Sequence, residues 1–325
     1  MNPKEFNDSV KRGDFKRVYL FYGEERYLVR HYAEMLVNAI GEADNFDASA
    51  SAESIIMAAD TLPFFTEQRL VKVQFSKLFV SGRKADSEAM AAYLSQIPDS
   101  TVLVFMEAEA DRRGRLFKRA VEMGGVVECE TPSPQALTTW LSRQFRQHGK
   151  NIDSAAANLL LRYCAHNMTT LAQETEKLAA YVGQNPNITT HDIKTICSPT
   201  LQSRVFDLIG AIGNAQTGQA INMYRNMLLM KEQPLMILAM IIRQFRIILQ
   251  VKAAEAKGMP KPQMAKALGL RSFIVDEALS QGRRFGINQI MNAMEDCQDT
   301  DYKIKTGLIT ADVGVEMLIL QYGVN

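Results

Sequence analysis

The stretch Val18–Leu36 reads VYLFYGEERYLVRHYAEML and decides the fold of the first part of the chain. Its opening residues, VYLFY, are apolar or aromatic and predict a buried strand, and Gly23 directly after them predicts a tight turn. Apolar side chains then recur at helical spacing up to Leu36, which predicts a helix. A strand that turns through glycine into a helix is the frame on which phosphate-binding loops are built.

The residues that hold phosphate in such a loop are missing after Gly23. In the pattern G-x-x-x-x-G-K-[ST], glycines let backbone N–H groups approach phosphate, the lysine neutralises its charge and the hydroxyl binds Mg²⁺. The second glycine, the lysine and the hydroxyl are replaced by Leu28, Val29 and Arg30. We therefore interpret the corner as a tight turn that keeps the strand–turn–helix arrangement but does not bind nucleotide. We predict no catalytic residues, no cofactor and no metal site.

Strand and helix signals alternate along the chain up to about Cys129, which predicts βαβ units around a mostly parallel sheet. From Thr131 onward the apolar spacing is helical. We predict an α/β domain at residues 1–130, a small helical bundle at residues 131–200 and a further all-α domain at residues 201–325. The predicted fold class is therefore α/β plus all-α.

Composition indicates a folded protein whose charges are nearly balanced. The chain has 325 residues, 47% of them hydrophobic and 22% charged, and its formal net charge is +1. A protein that wraps nucleic acid by itself is usually clearly basic, so contacts with nucleic acid are predicted to be local or shared with partners. The N-terminus lacks an apolar signal segment, and no long uninterrupted apolar run occurs. The four cysteines are scattered, with no CxxC motif. We therefore predict a cytoplasmic protein without membrane contact.

The chain resembles the delta-subunit family of bacterial DNA polymerase III, a component of the sliding-clamp loader. The resemblance follows one order over nearly the whole chain and is carried by the segments VYLFYGEERYLVRHYAEML, LPFFTEQRLVKV, DRRGRLFKRA, LAQETEKLAAYVG, ITTHDI, VFDLIGAIG, RQFRIIL and IKTG. It implies an AAA+-like domain without a working P-loop at residues 1–130, a helical lid domain at residues 131–200 and a helical collar domain for oligomerisation at residues 201–325.

The resemblance also implies a function. Members of this family bind the beta sliding clamp and open the ring for loading onto primed DNA during replication, while tau/gamma subunits hydrolyse ATP. The implied partners are the beta clamp, the tau/gamma ATPase subunits, delta-prime and primer–template DNA inside the loader. Enzyme class would come only by association, as a subunit of a DNA-directed DNA polymerase, a nucleotidyltransferase. A delta-prime-like subunit is the alternative, but the Ser-Arg-Cys motif and the zinc-module cysteines of such subunits are absent.

The segment Leu62-Pro63-Phe64-Phe65 is the candidate contact with the clamp. Adjacent side chains point in different directions on a helix or a strand, so Phe64 and Phe65 do not easily share one buried environment, and a proline extends the residue before it. From these residues alone, packing of both rings in the core stays an alternative. The resemblance implies an exposed hydrophobic pair at Phe64 and Phe65 that enters a pocket on the clamp, with Leu62 and Pro63 in support.

Basic residues supply the candidate contacts with DNA. Arg112 and Arg113 lie in one cluster, and Arg243 and Arg246 lie in another. A solvated helix face is the ordinary explanation for such residues. The resemblance implies that some of them follow the phosphate backbone of primer–template DNA, which positions a protein without reading sequence.

Residues 264–285, MAKALGLRSFIVDEALSQGRRF, also fit a helix-turn-helix with Gly269 at the turn. This pattern raises the alternative of a sequence-specific DNA-binding regulator. The second helix begins with Phe273, Ile274 and Val275, whereas base reading needs polar side chains there. We therefore favour packing of this segment within the C-terminal domain.

Overall fold

The computed structural model describes residues 1–63 and 67–323. The chain divides into two compact units, residues 1–131 and residues 132–325. The first boundary lies beside the one predicted near residue 130. The helices on either side of the boundary predicted near residue 200 belong to one compact unit, so a separate lid and collar stay a prediction.

The first unit is a parallel sheet covered by helices on both faces. Its five strands lie in the order β2-β3-β4-β1-β5 and pair in parallel throughout. The strands are β1 (Val18–Tyr22), β2 (Ala43–Phe46), β3 (Arg69–Gln74), β4 (Thr101–Glu107) and β5 (Val126–Glu128). The helices are α1 (Pro3–Arg12), α2 (Arg26–Ile40), α3 (Ala52–Asp60), α4 (Lys84–Tyr93) and α5 (Arg115–Glu122).

The two central strands explain why the sequence specifies this sheet. Every residue of β1 and β4 is buried, and the two strands pair from Val18 opposite Leu103 onward. Continuous apolar runs are typical of strands covered on both faces, because the crossover helices of βαβ units lie on either side. The predicted α/β class of this part of the chain is confirmed.

Helix α1 is an element that the sequence analysis missed. It starts with a capping box, in which Asn2 accepts from the Glu5 N–H and Glu5 accepts from the Asn2 N–H, both at 2.9 Å. Phe6 on this helix is fully buried, with its ring edge-on to those of Tyr19 and Phe21. The helix therefore covers one face of the sheet beside β1.

The second unit is almost entirely helical, as predicted. Its only strands in the described residues are the short parallel pair β6 (Asn151–Ile152) and β7 (Asn187–Ile188). Its helices are α6 (Pro134–Gln147), α7 (Ser154–Tyr163), α8 (Met168–Tyr181), α9 (Thr190–Ile196), α10 (Leu201–Gly213), α11 (Thr217–Leu229), α12 (Pro234–Ala256), α13 (Lys261–Leu268), α14 (Ser272–Gly282), α15 (Ile287–Lys305) and α16 (Ala311–Gly323).

Helix α12 is the central element of the second unit. By length and composition it is the one helix in the described ranges apolar enough to cross a membrane. Its side chains Leu238, Ile241, Phe245 and Ile248 are nevertheless buried in the same core as residues of α10, α15 and α16. The apolar composition of α12 is therefore explained by its position in the core of the second unit.

Candidate functional site

The corner after β1 has the backbone of a nucleotide-binding turn but is filled by the protein itself. Gly23 has a φ of +139°, and a Cβ there would lie 2.5 Å from the carbonyl oxygen of Cys129. The N–H of Gly23 donates to the Glu107 carbonyl at 3.3 Å. Only glycine fits this close approach between neighbouring strand ends, so the glycine is explained by packing rather than by phosphate.

Helix α2 begins too early for a phosphate-binding loop. Only Gly23, Glu24 and Glu25 separate β1 from the first residue of the helix, Arg26. The three positions expected to carry loop chemistry, Leu28, Val29 and Arg30, are inside the helix. Val29 is buried, and its N–H donates to the Glu25 carbonyl at 3.2 Å, while Arg30 is exposed. The backbone N–H groups at these positions lie within the helix and do not form a phosphate-binding loop.

Glu25 lies where an anion would bind. It is the N-cap of α2, and its carboxylate accepts the Tyr27 N–H at 3.2 Å. Its side chain is buried, with 7% exposure, and its own N–H donates to the Cys129 carbonyl at 3.0 Å. The positive end of a helix favours a negative group, and here the protein supplies one of its own. A phosphate at this corner would meet a buried carboxylate.

Glu107, the acid at the end of β4, is also engaged in structure. Its carboxylate accepts the Ser76 hydroxyl and, at 3.2 Å, the Lys77 N–H. Burial raises the pKa of the Glu107 carboxyl above its usual value. The turn that it holds contains two non-glycine residues of positive φ, Phe75 at 51° and Lys77 at 60°. The acid thus stabilises a strained turn, and among the described residues no group of acids, histidines or cysteines that could hold a metal ion is found.

We expect the isolated chain neither to bind nor to hydrolyse ATP. The loop is too short, the lysine and the Mg²⁺-binding hydroxyl are absent, and Glu25 occupies the end of the helix with negative charge. Isothermal titration with Mg-ATP should give no binding heat above dilution. A saturable isotherm with a micromolar dissociation constant that weakens when Arg26 is replaced by alanine would contradict this prediction, because Arg26 is the first basic residue after Gly23.

An exposed apolar surface accompanies the candidate clamp-contact segment. At its N-terminal end, Leu62 is 68% exposed and Pro63 is half-buried. Met57, on α3 directly before this segment, is 71% exposed. Phe64 and Phe65 lie outside the described residues, so their predicted exposure stays a prediction. Large apolar side chains this exposed and this close in sequence are typical of a contact with another protein.

The predicted basic cluster of the first unit is neutralised by carboxylates. Arg112 pairs with Glu128 and lies over the ring of Tyr22, and Arg113 pairs with Asp111 at 3.1 Å. The neighbouring arginines on α5 are likewise paired: Arg115 with Glu88 at 2.9 Å, and Arg119 with Glu122 at 2.6 Å. These pairs leave little local excess of positive charge, which weakens the case for phosphate binding here.

Arg243 and Arg246 lie exposed on α12, and within residues 1–63 and 67–323 neither forms an ion pair. Arg243 lines a small cleft between α7, α10, α12 and α14 together with Arg162, His166 and Glu277. Burial, with the charge of Arg271, lowers the pKa of His166 to about 4. Burial beside Asp207 and Asp276 raises the pKa of Glu277 to about 7. This cleft could not be predicted from the sequence, because its lining residues come from separate helices and the loop after α7.

The helix-turn-helix pattern is present in shape but not in chemistry. Gly269 ends α13 in a left-handed conformation with a φ of 61°, and α14 starts at Ser272. Phe273 and Val275 are buried, and the ring of Phe273 stacks on His166 with centroids 3.9 Å apart. The first residues of α14 therefore pack in the core of the second unit and cannot contact bases.

Two family models match the chain. A model of the DNA polymerase III delta subunit matches residues 19–130, and a model of its C-terminal domain matches residues 202–322. DNA polymerase III subunit delta of Bacillus subtilis (strain 168) is 27% identical over 329 residues, covering 96% of this chain and 94% of that protein. A probable DNA polymerase III subunit delta of Aquifex aeolicus (strain VF5) is 20% identical and covers 79% of this chain and 77% of its own.

A solved structure matches over the same extent. The Bacillus subtilis DNA clamp loader delta protein superposes with a TM-score of 0.80 at 26% identity, covering 98% of this chain and 99% of that one. The match extends across both units and supports the α/β plus all-α organisation described above.

Proposed function

Since the chain belongs to the DNA polymerase III delta subunit family and so has a clamp-loader role, we propose that it binds the beta sliding clamp and opens the ring for loading onto primed DNA. The proposal rests on the apolar surface beside the Leu62–Phe65 segment. Met57 and Leu62 hold large apolar side chains in solvent, at the position where the family resemblance implies a hydrophobic pair that enters a clamp pocket.

The closed corner after β1 supports a division of labour. A subunit whose nucleotide corner is filled by Glu25 would depend on other subunits for ATP chemistry. In this proposal, tau/gamma subunits and delta-prime surround the chain. The tau/gamma subunits hydrolyse ATP and determine when the clamp-binding surface is presented. The chain has no catalytic site of its own, carries the nucleotidyltransferase class only by association, and acts in the cytoplasm.

The second unit supports the assembly role through α16. Val313, Met317 and Leu320 recur at helical spacing on this helix and are 48%, 59% and 44% exposed. On α12, by contrast, Leu238, Ile241, Phe245 and Ile248 are buried in the core of the second unit. We therefore assign the contact with other loader subunits to the exposed stripe of α16.

The direct test is capture of the beta clamp by this chain. Immobilised protein should retain purified clamp of the same organism without ATP and without other loader subunits, because the apolar contact needs no nucleotide. A monomeric clamp variant should be retained at least as well as the ring. Failure to retain either form would overturn the proposed function.

A further inference from the structure

Helices α6 and α7 form a part of the chain that is almost free of negative charge. Between residues 131 and 173 the only acid is Asp153, which caps α7 by accepting the Ala156 N–H at 2.7 Å. The same stretch contains four basic residues, Arg143, Arg146, Lys150 and Arg162. In a chain with a net charge of +1, this hairpin is a local concentration of positive charge.

Most of this charge faces two adjoining open grooves. Arg143 and Arg146 line the groove between α6 and α7, and Arg162 and Lys194 line the groove between α7 and α9. Asn158 lines both grooves, so they meet along one ridge of α7. Lys150 does not contribute, because its ammonium donates to the carbonyls of Gly183 and Asn185.

Three of these basic side chains differ from those of α5 in forming no ion pair. In the part of the chain that the structure describes, Arg143, Arg146 and Lys194 form no ion pair, whereas Arg115 and Arg119 each do. Unpaired cations in solvent keep their field and their counterions, and the release of those counterions drives binding to phosphates.

The floor of the first groove is polar but adds no negative charge. The hydroxyls of Thr138, Thr139 and Ser142 donate to helix carbonyls at 3.0–3.1 Å. Because these small side chains are satisfied by the helix, they leave room above them and do not compete for the arginines. The arginines are therefore the groups that meet a ligand in this groove.

We propose that this face of α6, α7 and α9 binds the phosphate backbone of duplex DNA. Arginine fits phosphate with paired N–H donors, and the open shape of the grooves suits an extended polyanion more than a small molecule. No aromatic side chain lines either groove among the described residues, which argues against stacking of single-stranded bases. The apolar core that a protein partner would need is also missing there.

This surface goes beyond the proposed clamp contact, which lies in the other unit and needs no DNA. It also differs from the arginine pairs that the sequence analysis singled out. Through this surface the chain would bind duplex DNA by itself, independently of base sequence.

The test uses the full chain and a fluorescein-labelled duplex of random sequence in an anisotropy titration at low salt. Removing both arginines, in Arg143→Ala/Arg146→Ala, should weaken binding roughly tenfold to a hundredfold. The slope of log affinity against log salt should fall by about 1.8, as expected for two lost phosphate contacts. Arg143→Lys/Arg146→Lys keeps the charge and should retain most of the affinity. Arg162 is left unchanged because Asp207 lies near it.

The matched control is Arg115→Ala/Arg119→Ala, which removes the same charge from ion-paired positions and should leave DNA affinity nearly unchanged. Trp140, the single tryptophan, lies one helical turn before Arg143, so its fluorescence should change on DNA binding to the wild type and not to the double alanine variant. Equal losses in both alanine variants would overturn the proposal. So would tighter binding of polyglutamate than of duplex at equal charge, or tighter binding of single strands.

Discussion

Replacing both Phe64 and Phe65 with alanine is expected to weaken binding of the chain to the beta clamp strongly. Each ring buries roughly 150–250 Å² when it enters a pocket, and truncation of such anchors usually costs about 2–4 kcal/mol. Affinity should therefore fall about 30- to 1000-fold. Surface plasmon resonance with immobilised clamp measures this loss.

The control for that experiment is Leu229→Ala. Leu229 is 81% exposed on the second unit, so its loss removes exposed apolar surface without touching the clamp-contact segment. Clamp affinity should not change. The double phenylalanine variant should keep its circular dichroism spectrum and thermal midpoint. Unfolding would instead support the alternative that both rings pack in the core, and unchanged clamp affinity would locate the contact elsewhere.

The same variant also tests ring opening. A ligand shifts a conformational equilibrium only if it binds one state better than the other. We expect the double variant to lose clamp-unloading activity in step with affinity, if the phenylalanine pair is the anchor. Met57→Ala should reduce affinity less, because Met57 is an exposed flank of the segment.

Placing charge on α16 is the change with the second largest expected effect. In Met317→Glu/Leu320→Glu, two carboxylates would have to be buried without partners in the contact that we propose with other loader subunits. Leaving such charges unpaired costs several kcal/mol, so entry into the loader should fall by about a hundredfold or more. Size-exclusion chromatography with the ATPase subunits and delta-prime measures co-elution.

Clamp capture by the α16 variant should remain normal, since that contact belongs to the first unit. Val121→Glu is the matched control, because Val121 is 50% exposed on α5 and its replacement adds a charge to the other unit. It should enter the loader like the wild type. Normal co-elution of the α16 variant would show that another face joins the loader.

Much of the fold could be predicted because the decisive signals are local. The apolar runs of β1 and β4 define buried parallel strands, and Gly23 marks the turn between strand and helix. Some helix starts are also local signals: α9 begins with a capping box formed by Thr189 and Asp192. Helix α1 was missed because its apolar content is low, although Asn2 and Glu5 have the spacing of a capping box in the sequence.

The parts that could not be predicted depend on residues distant in sequence. The ion pairs of Arg112 with Glu128 and of Arg115 with Glu88 join residues far apart in sequence, so they could not be predicted from it. The burial of the α12 stripe could not be distinguished from a partner contact, since both need the same apolar spacing. The scarcity of acids in α6 and α7 is visible in the sequence, but which of their basic side chains line the two grooves depends on the fold.

The early start of α2 has an evolutionary consequence. Gly23, Glu24 and Glu25 are the whole connection between β1 and the helix, so the chain is short of the residues that a phosphate-binding loop needs. Lysine at position 29 or serine at position 30 would therefore stand on the flank of a helix, too far along it to reach a phosphate at its end. Recovery of nucleotide binding would require an insertion and the loss of Glu25 together, and neither change helps without the other. We therefore expect no single substitution at this corner to restore ATP binding.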